Sequence, residues 1–231
     1  AFEIASRAAF KEGVLKAVAD NPSHLRKIWD VMKATSPTRT FAEVRAKFSE
    51  YVALGYSGAG LVVAKHPTVT DLEVGDRVAY GGEGTGHGEV ILAGRNLVAK
   101  VPDEVPFEHA CFTTLGSIAL NAVRVAQVGV GDVVAVIGVG LVGQLVAQLA
   151  RLQGGVVVAI DLKQERIDLA EEMGTDFGVL TGVAAEGVNA LTNGRGADCV
   201  IVAAAAKSAA PCQQALRICR GAVGTVSGME P

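Results

Sequence analysis

The feature that most constrains this chain is an alternation over its last hundred residues. Short apolar runs at Val133–Ile137, Val156–Ile160, Phe177–Leu180, Cys199–Ala203 and Ala222–Val226 are separated by helical segments near Val142–Leu152, Gln164–Met173, Val183–Asn193 and Ser208–Cys219. Strands joined by connections of that length cannot pair through hairpins. They pair in parallel, with crossover helices covering both faces of the sheet. The pattern predicts a doubly wound parallel α/β sheet. Glycine, 28 of 231 residues, suits the many tight strand–helix turns such a sheet needs. Val133 to Ala150 is eighteen residues without a charge, the length of a membrane span. Gly138, Gly140, Gly143, Gln144 and Gln148 interrupt it, so it reads as a buried strand turning into a buried helix, and no membrane association is expected.

Gly138-Val139-Gly140-Leu141-Val142-Gly143 is a G-x-G-x-x-G, and its setting matters more than its letters. It follows one apolar strand and opens a helix. The next strand ends at Asp161, 21 residues beyond Gly140. In a dinucleotide site the first glycine permits the turn, the second lets a pyrophosphate approach the backbone, and the third lets helix and strand pack closely. The helix N-terminus offers free N–H groups to the phosphates. Asp161 can accept hydrogen bonds from the adenosine ribose hydroxyls. A 2′-phosphate there would meet a like charge, which predicts NAD(H) over NADP(H). Leu162 adjoins this acid, and Lys163 and Arg166 are close enough to soften the preference. A ligand-free glycine turn is the alternative.

The rest of the chain differs. Residues 1–50 read as helical, with breaks at Asn21-Pro22 and Ser36-Pro37 and with Ser23 and Thr40 as N-caps. An amphipathic hairpin packed on the main body, or a partner surface, would account for them. Residues 51–115 read as a small, mostly antiparallel β unit, with strands at Leu61–Ala64, Asp76–Tyr80, Glu89–Leu92 and Leu97–Val101. Glu108 to Ala126 reads as one helix. These divisions give three expected regions: 1–50, 51–115 and 116–231.

Composition excludes several classes. At 50% hydrophobic and 19% charged residues, global disorder is ruled out. Net charge is −3; residues 1–50 carry nine Lys/Arg against six Asp/Glu, too mild a lean for duplex binding. Aromatics at 5% offer no stacking platform for nucleic-acid bases. Cys111, Cys199, Cys212 and Cys219 lie apart in apolar surroundings, as reduced thiols of a cytoplasmic protein would.

The run Gly55-Tyr56-Ser57-Gly58-Ala59-Gly60-Leu61-Val62-Val63, followed by Val74-Gly75-Asp76-Arg77-Val78-Ala79, resembles the GroES-like domain of medium-chain dehydrogenases/reductases. Asn96–Asp103, Glu108–Asn121 and the unit Gly131–Asp161 continue the resemblance over roughly residues 51–228. It implies a Rossmann domain preceded by a partial GroES-like β domain that carries the helical segment 1–50. The segment 1–50 ahead of Leu54-Gly55-Tyr56, with Phe112–Leu120, is similar to the dehydrogenase half of bacterial bi-domain oxidoreductases. In those a second, Gfo/Idh-type module follows. The resemblance thus implies a small-molecule substrate, sugar-derived if the narrower likeness holds, and a second oxidoreductase domain or a homodimer partner.

Departures from the family pattern sharpen the expectation. Zinc alcohol dehydrogenases of this superfamily carry Gly-His-Glu where this chain has Gly55-Tyr56-Ser57, and a cysteine ligand at the position of Thr113. The four-cysteine zinc lobe is absent. The resemblance therefore implies a zinc-independent member. The family's first strands precede residue 1 and its sixth sheet strand follows Pro231, so a longer protein is expected. Tyr56 is a candidate proton donor to a carbonyl oxygen. Ser117 matches the family's Thr/Ser near the nicotinamide, and Thr114 flanks the same helix start. His87, in a glycine-rich loop, is a candidate proton relay. Ala203, at the end of the fourth strand, is expected to line the cofactor pocket. Two rivals stand beside an NAD(H)-linked alcohol or carbonyl oxidoreductase. One is a cofactor-binding scaffold serving another catalytic domain; the other is a zinc-free NADPH quinone or enoyl reductase.

Overall fold

The computed structural model describes residues 55–82, 84–206 and 208–225. The helical reading of residues 1–50, with its Ser23 and Thr40 caps, lies outside them. The chain divides into two compact units. One includes Gly55, Tyr56 and Gly82–Gly94; the other comprises Ser57–Gly81 and the chain from Arg95 onward.

The second unit contains two sheets. The smaller is antiparallel, in the order β1 (Ser57–Leu61), β2 (Arg77–Gly81), β3 (Val98–Lys100). Ser57 lies opposite Gly81 and Leu61 opposite Arg77. The expected strand at Leu61–Ala64 therefore begins earlier, in the glycine run. Gly58 belongs in a strand here because its missing side chain makes room for the Tyr80 ring: a Cβ would lie 2.9 Å from Cε2 and closer still to the phenol oxygen. The pairing continues past β1, with Val62 N–H donating to Asp76 O (3.0 Å) and Gly75 N–H to Val62 O (2.8 Å).

The expected strand at Glu89–Leu92 is not formed. Val90 and Leu92 are largely exposed, and no described strand pairs with this stretch. Extended propensity without a partner leaves the ladder groups to water, so the residue pattern alone was insufficient. The single helix expected over Glu108–Ala126 is two helices, α1 (Phe107–Ala110) and α2 (Thr113–Val125). At the break, Thr113 Oγ1 donates to Ala110 O (2.7 Å) and Ser57 Oγ donates to Cys111 O (2.5 Å). These hydroxyls offer the carbonyls an alternative to a continuous helix.

The larger sheet is parallel and five-stranded: β4 (Val133–Ile137), β5 (Val156–Asp161), β6 (Phe177–Leu180), β7 (Ala197–Val202) and β8 (Cys219–Thr225). Its order is β6-β5-β4-β7-β8. The connecting helices are α3 (Leu141–Leu152), α4 (Gln164–Glu172), α5 (Ala184–Leu191) and α6 (Ala210–Ile218). The strand period of two sorts the core. Val134, Val136, Val157, Ala159 and Ile201 pack with α2, α3 and α4, through residues such as Val123, Val146 and Ile167. Ala135, Ile137, Val158, Ile160, Val200 and Val202 pack on the other face with Val188 of α5 and Ile218 of α6. Each fully buried Val or Ile contributes about 1.5–3 kcal/mol relative to exposure. Both faces are covered, which is why the strands read as continuous apolar runs. The sheet and its Rossmann order match the expectation from the alternation, and a separate antiparallel sheet precedes it as the resemblance implied. Among the described residues, no helix is long and apolar enough to cross a membrane.

Candidate functional site

The strand order reverses at β4: the connection through α3 leads to β5 on one side, and β7 lies on the other. In open α/β sheets the crevice beyond the carboxyl ends of the strands at such a point accepts ligands. The glycine loop after β4, Asp161 at the end of β5 and Ala203 after β7 all stand at these carboxyl ends.

The three glycines differ in what surrounds them. Gly138 has φ +88°, and a Cβ there would lie 2.6 Å from Ala204 Cα. Both conformation and space demand glycine. A Cβ on Gly143 would lie 2.9 Å from the Gly138 carbonyl carbon and nearer still to its oxygen, with Ala203 Cβ at 3.5 Å. That glycine lets α3 start directly against the strand end. Gly140 is the exception. It caps α3 with φ −73°, an angle open to any residue, and a Cβ there would meet nothing nearer than Arg166 Nη1 at 4.0 Å. Protein packing gives no reason for glycine at 140; the open space lies at the N-terminus of α3, where unpaired N–H groups and the helix dipole favour an anion. Val139 is buried, whereas Leu141 is exposed and Val142 half-buried at the start of α3.

Asp161 is 4% exposed and bonded on both oxygens. Oδ2 accepts from Val139 N–H (3.0 Å) and Oδ1 from Lys163 N–H (3.0 Å). Arg166 Nη1 lies 3.4 Å from Oδ2, with its side chain 45% exposed. Backbone N–H groups thus orient the carboxylate; Oδ2 accepts from both Val139 and Arg166, Oδ1 retains a further acceptor position, and the guanidinium lies close both to the carboxylate and to the space above Gly140. Leu162 is largely exposed. Ala203 N–H donates to Ile137 O (2.8 Å), which fixes the end of β7 beside the glycine loop. The sequence reading did not name Ala204, and it named Gln144 only as an interruption of an apolar run. Ala204 bears on Gly138, and the run of small residues after β7 was its signal. Gln144 donates to Val139 O (3.2 Å) and Arg166 O (2.9 Å); its signal was an amide in an otherwise apolar helix start.

The other candidates separate. Thr114 packs against the end of β2, with its hydroxyl 3.3 Å from Tyr80 O. Ser117 is exposed on α2 and donates to Thr113 O (2.9 Å). Tyr56 and His87 belong to the other unit. Tyr56 is 40% exposed, and its carbonyl accepts from Gly82 N–H (2.9 Å). The exposed His87 ring lies over Gly55, where a Cβ would come within 3.0 Å of Nε2 and where φ is +82°.

The zinc that the family implies finds a poor donor set. Tyr56 supplies a phenol, and the Thr113 hydroxyl is committed to a backbone carbonyl. Among the described residues, no group of three or more His, Cys, Asp or Glu is arranged to hold a metal ion. Zinc sites are built from Cys, His and carboxylates, so the described residues do not fit the group.

Comparison with known proteins places this geometry. A family profile described as "Zinc-binding dehydrogenase" matches residues 142–229. An alcohol dehydrogenase of Geobacillus stearothermophilus is 30% identical over 153 residues, covering 53% of this chain and 45% of the relative. A D-guloside 3-dehydrogenase of Escherichia coli is 35% identical over 154 residues, covering 64% of this chain and 43% of the relative. The solved alcohol dehydrogenase TADH of Thermus sp. ATN1 superposes with a TM-score of 0.66 at 26% identity, covering 75% of this chain and 61% of that one. The chain spans somewhat under half the length of these two curated relatives. The glycine loop, the sheet order and the preceding antiparallel sheet agree with these likenesses, and the chain is similar to zinc-type medium-chain dehydrogenases.

Proposed function

We propose that this chain forms the NAD(H)-binding part of a zinc-independent oxidoreductase of the medium-chain type. Its substrate would be a small alcohol or the corresponding carbonyl compound. The observation that carries the reading is the open space over Gly140, framed by two glycines that packing explains and one that it does not. The pyrophosphate would sit there on the N-terminus of α3, with Asp161 beyond it to accept from the adenosine ribose. Val139, Leu141, Val142 and Leu162 would border the dinucleotide, Arg166 would face its phosphates, and Thr114, Ser117 and Ala203 would line the nicotinamide end. When bound, the nicotinamide supplies hydride exchange at C4; the protein supplies position and electrostatics. Tyr56 and His87 are proposed as the groups that hold a proton near the substrate oxygen. Their support is local: both lie in one unit, and the His87 ring covers the residue before Tyr56.

Zinc independence is part of the proposal and rests on the donors at Tyr56 and Thr113. One equivalent of zinc in the protein purified without added metal would overturn it. A sugar-derived substrate is supported by the relative named D-guloside 3-dehydrogenase. The division into 1–50, a GroES-like 51–115 and a Rossmann 116–231, the cytoplasmic location, and a second oxidoreductase domain or homodimer partner belong to the same proposal. One observation favours the scaffold reading: the hydroxyls of Thr113 and Ser117 both donate to backbone carbonyls.

A fluorescence titration with NADH and NADPH tests the core of the reading. NADH should bind more tightly, and Asp161→Ala should weaken NADH while sparing NADPH. A preference for NADPH would instead favour the quinone or enoyl reductase reading, with Arg166 meeting the 2′-phosphate. Binding without turnover across sugar alcohols and ketones would favour the scaffold. Binding of neither dinucleotide would refute the proposal.

A further inference from the structure

Gln144 lies in the first turn of α3, one residue past the last motif glycine, and it closes a ring of hydrogen bonds. Its Nε2 donates to the carbonyl of Val139 in the glycine loop and to the carbonyl of Arg166 in the first turn of α4. The N–H of the same Val139 donates to Asp161, and Asp161 accepts from Lys163 N–H at the entry to α4. The ring runs from Val139 through Asp161 and Lys163 to Arg166, and back through Gln144. It joins the segment that would cradle the pyrophosphate to the turn that would read the adenosine ribose. Val139 is held at both its N–H and its C=O.

A second feature sets this amide apart from ordinary packing. Gln144 Oε1 is buried and has no hydrogen-bond partner among the described residues. Reversing the amide would not help, since Oε1 would then face two carbonyl oxygens. An unpaired buried acceptor is a cost to the fold. An apolar side chain of the same length would avoid that cost while giving up the two donations, so the opposing effects on stability largely offset and do not by themselves select glutamine. What glutamine adds is the double donation from one nitrogen to two loops.

We infer that Gln144 is a positioning residue for dinucleotide recognition: it sets the distance between the Gly138–Gly140 loop and the turn carrying Asp161 and Arg166, and thereby selects the non-phosphorylated adenosine ribose. The inference rests on the NAD(H) reading above. Gln144 touches neither reacting atoms nor, by this argument, the cofactor. With the tie in place, Asp161 meets the ribose hydroxyls at a fixed spacing from the pyrophosphate. Without it, α4 and the Arg166 guanidinium can move relative to the glycine loop, and the penalty on a 2′-phosphate relaxes.

The test is a fluorescence titration of wild type, Gln144→Met and Gln144→Asn with NADH and with NADPH, alongside thermal melts. Methionine matches the length and removes both the donor and the orphan acceptor; asparagine keeps the amide but is too short to span both carbonyls. Both variants should lose NADH affinity by about tenfold, near the effect of one well-made hydrogen bond in a coupled site. NADPH affinity should be unchanged or improved, so the preference compresses. Gln144→Met should melt close to wild type, because relief of the orphan acceptor offsets the lost donations. In an Asp161→Asn background, Gln144→Met should have little further effect on NADH, because the two residues belong to one ring. Equal loss of both dinucleotides in step with a lower melting temperature would mean a purely structural role and overturn the inference. So would an unchanged ratio in both variants. If wild type binds neither dinucleotide, the NAD(H) reading itself fails, and the inference falls with it; that result is seen before any variant is made.

Discussion

Replacing Gly140 and Gly143 in turn by alanine separates a glycine kept for a ligand from one kept for the fold. At Gly143 the added methyl would stand against the Gly138 carbonyl, 2.9 Å from its carbon and closer to its oxygen. Both atoms are backbone, so α3 must retreat from the strand end by about an ångström, an overpacking that costs about 3 kcal/mol at the upper end of such changes. Alanine's better helix propensity returns about 1 kcal/mol. The net loss of about 2 kcal/mol lowers the melting temperature by roughly 4–8 °C for a chain of this size. At Gly140 the methyl meets nothing nearer than 4.0 Å, and φ is −73°. Losing glycine at the cap and stiffening the unfolded chain nearly cancel, leaving a net effect within about 1 kcal/mol. Calorimetric melts and NADH titrations of both variants read the two effects separately. Gly140→Ala should melt within about 4 °C of wild type yet lose at least about tenfold in NADH affinity, because the methyl occupies the space proposed for the pyrophosphate. The reasoning fails if Gly140→Ala is as unstable as Gly143→Ala, or if it binds NADH like wild type.

Three further outcomes are expected. Arg95 donates to Asp71 and holds that carboxyl at about 2, below its ordinary value of 3.8. A depressed carboxylate pKa contributes stability above the unfolded value that is lost as pH falls through the folded one, so the effect belongs to the window between about pH 4 and 2. Acid melts of Asp71→Asn should be flatter there and converge on wild type near pH 2, with only a small loss at pH 7, since the pair is exposed. Burial pushes the Cys199 thiol up to about 12, so mass spectrometry after alkylation at pH 8 should find Cys199 unmodified in the native protein and modified only after unfolding. Thr192, 2% exposed, accepts from Gly196 N–H (2.9 Å) and donates to Val188 O (2.8 Å). Thr192→Val should cost about 1–3 kcal/mol in denaturant unfolding by stranding the Gly196 N–H, whereas Thr192→Ser should cost much less.

The parallel sheet was legible because burial on both faces writes a strong signal. Val133–Ile137 and Phe177–Leu180 are uninterrupted apolar runs, and they form strands at the expected bounds. The helices between them are long enough to show their period. The motif glycines and Asp161 were legible for a related reason: each has a single-residue requirement tied to its place after a strand. Sequence alone therefore determined the parallel sheet, its turn after β4 and the residues standing at the carboxyl ends of its strands.

Tertiary structure decided what depends on a partner distant in sequence. Glu89–Leu92 has strand propensity but no described neighbour to pair with, whereas the glycine run Ser57–Leu61 forms a strand because β2 lies beside it and Tyr80 fills the space of a missing side chain. The break at Cys111 follows from hydroxyls that reach carbonyls there, one of them from β1. Gly140 and Gly143 look alike in sequence, and only the space around each separates them. Gln144 read as an interruption in an apolar helix; its acceptor on Val139 is local, but its acceptor on Arg166 becomes a neighbour only when α3 and α4 pack on the same face of the sheet. Propensity and period are written locally, but a hydrogen bond between loops more than twenty residues apart is specified by the packing that brings those loops together.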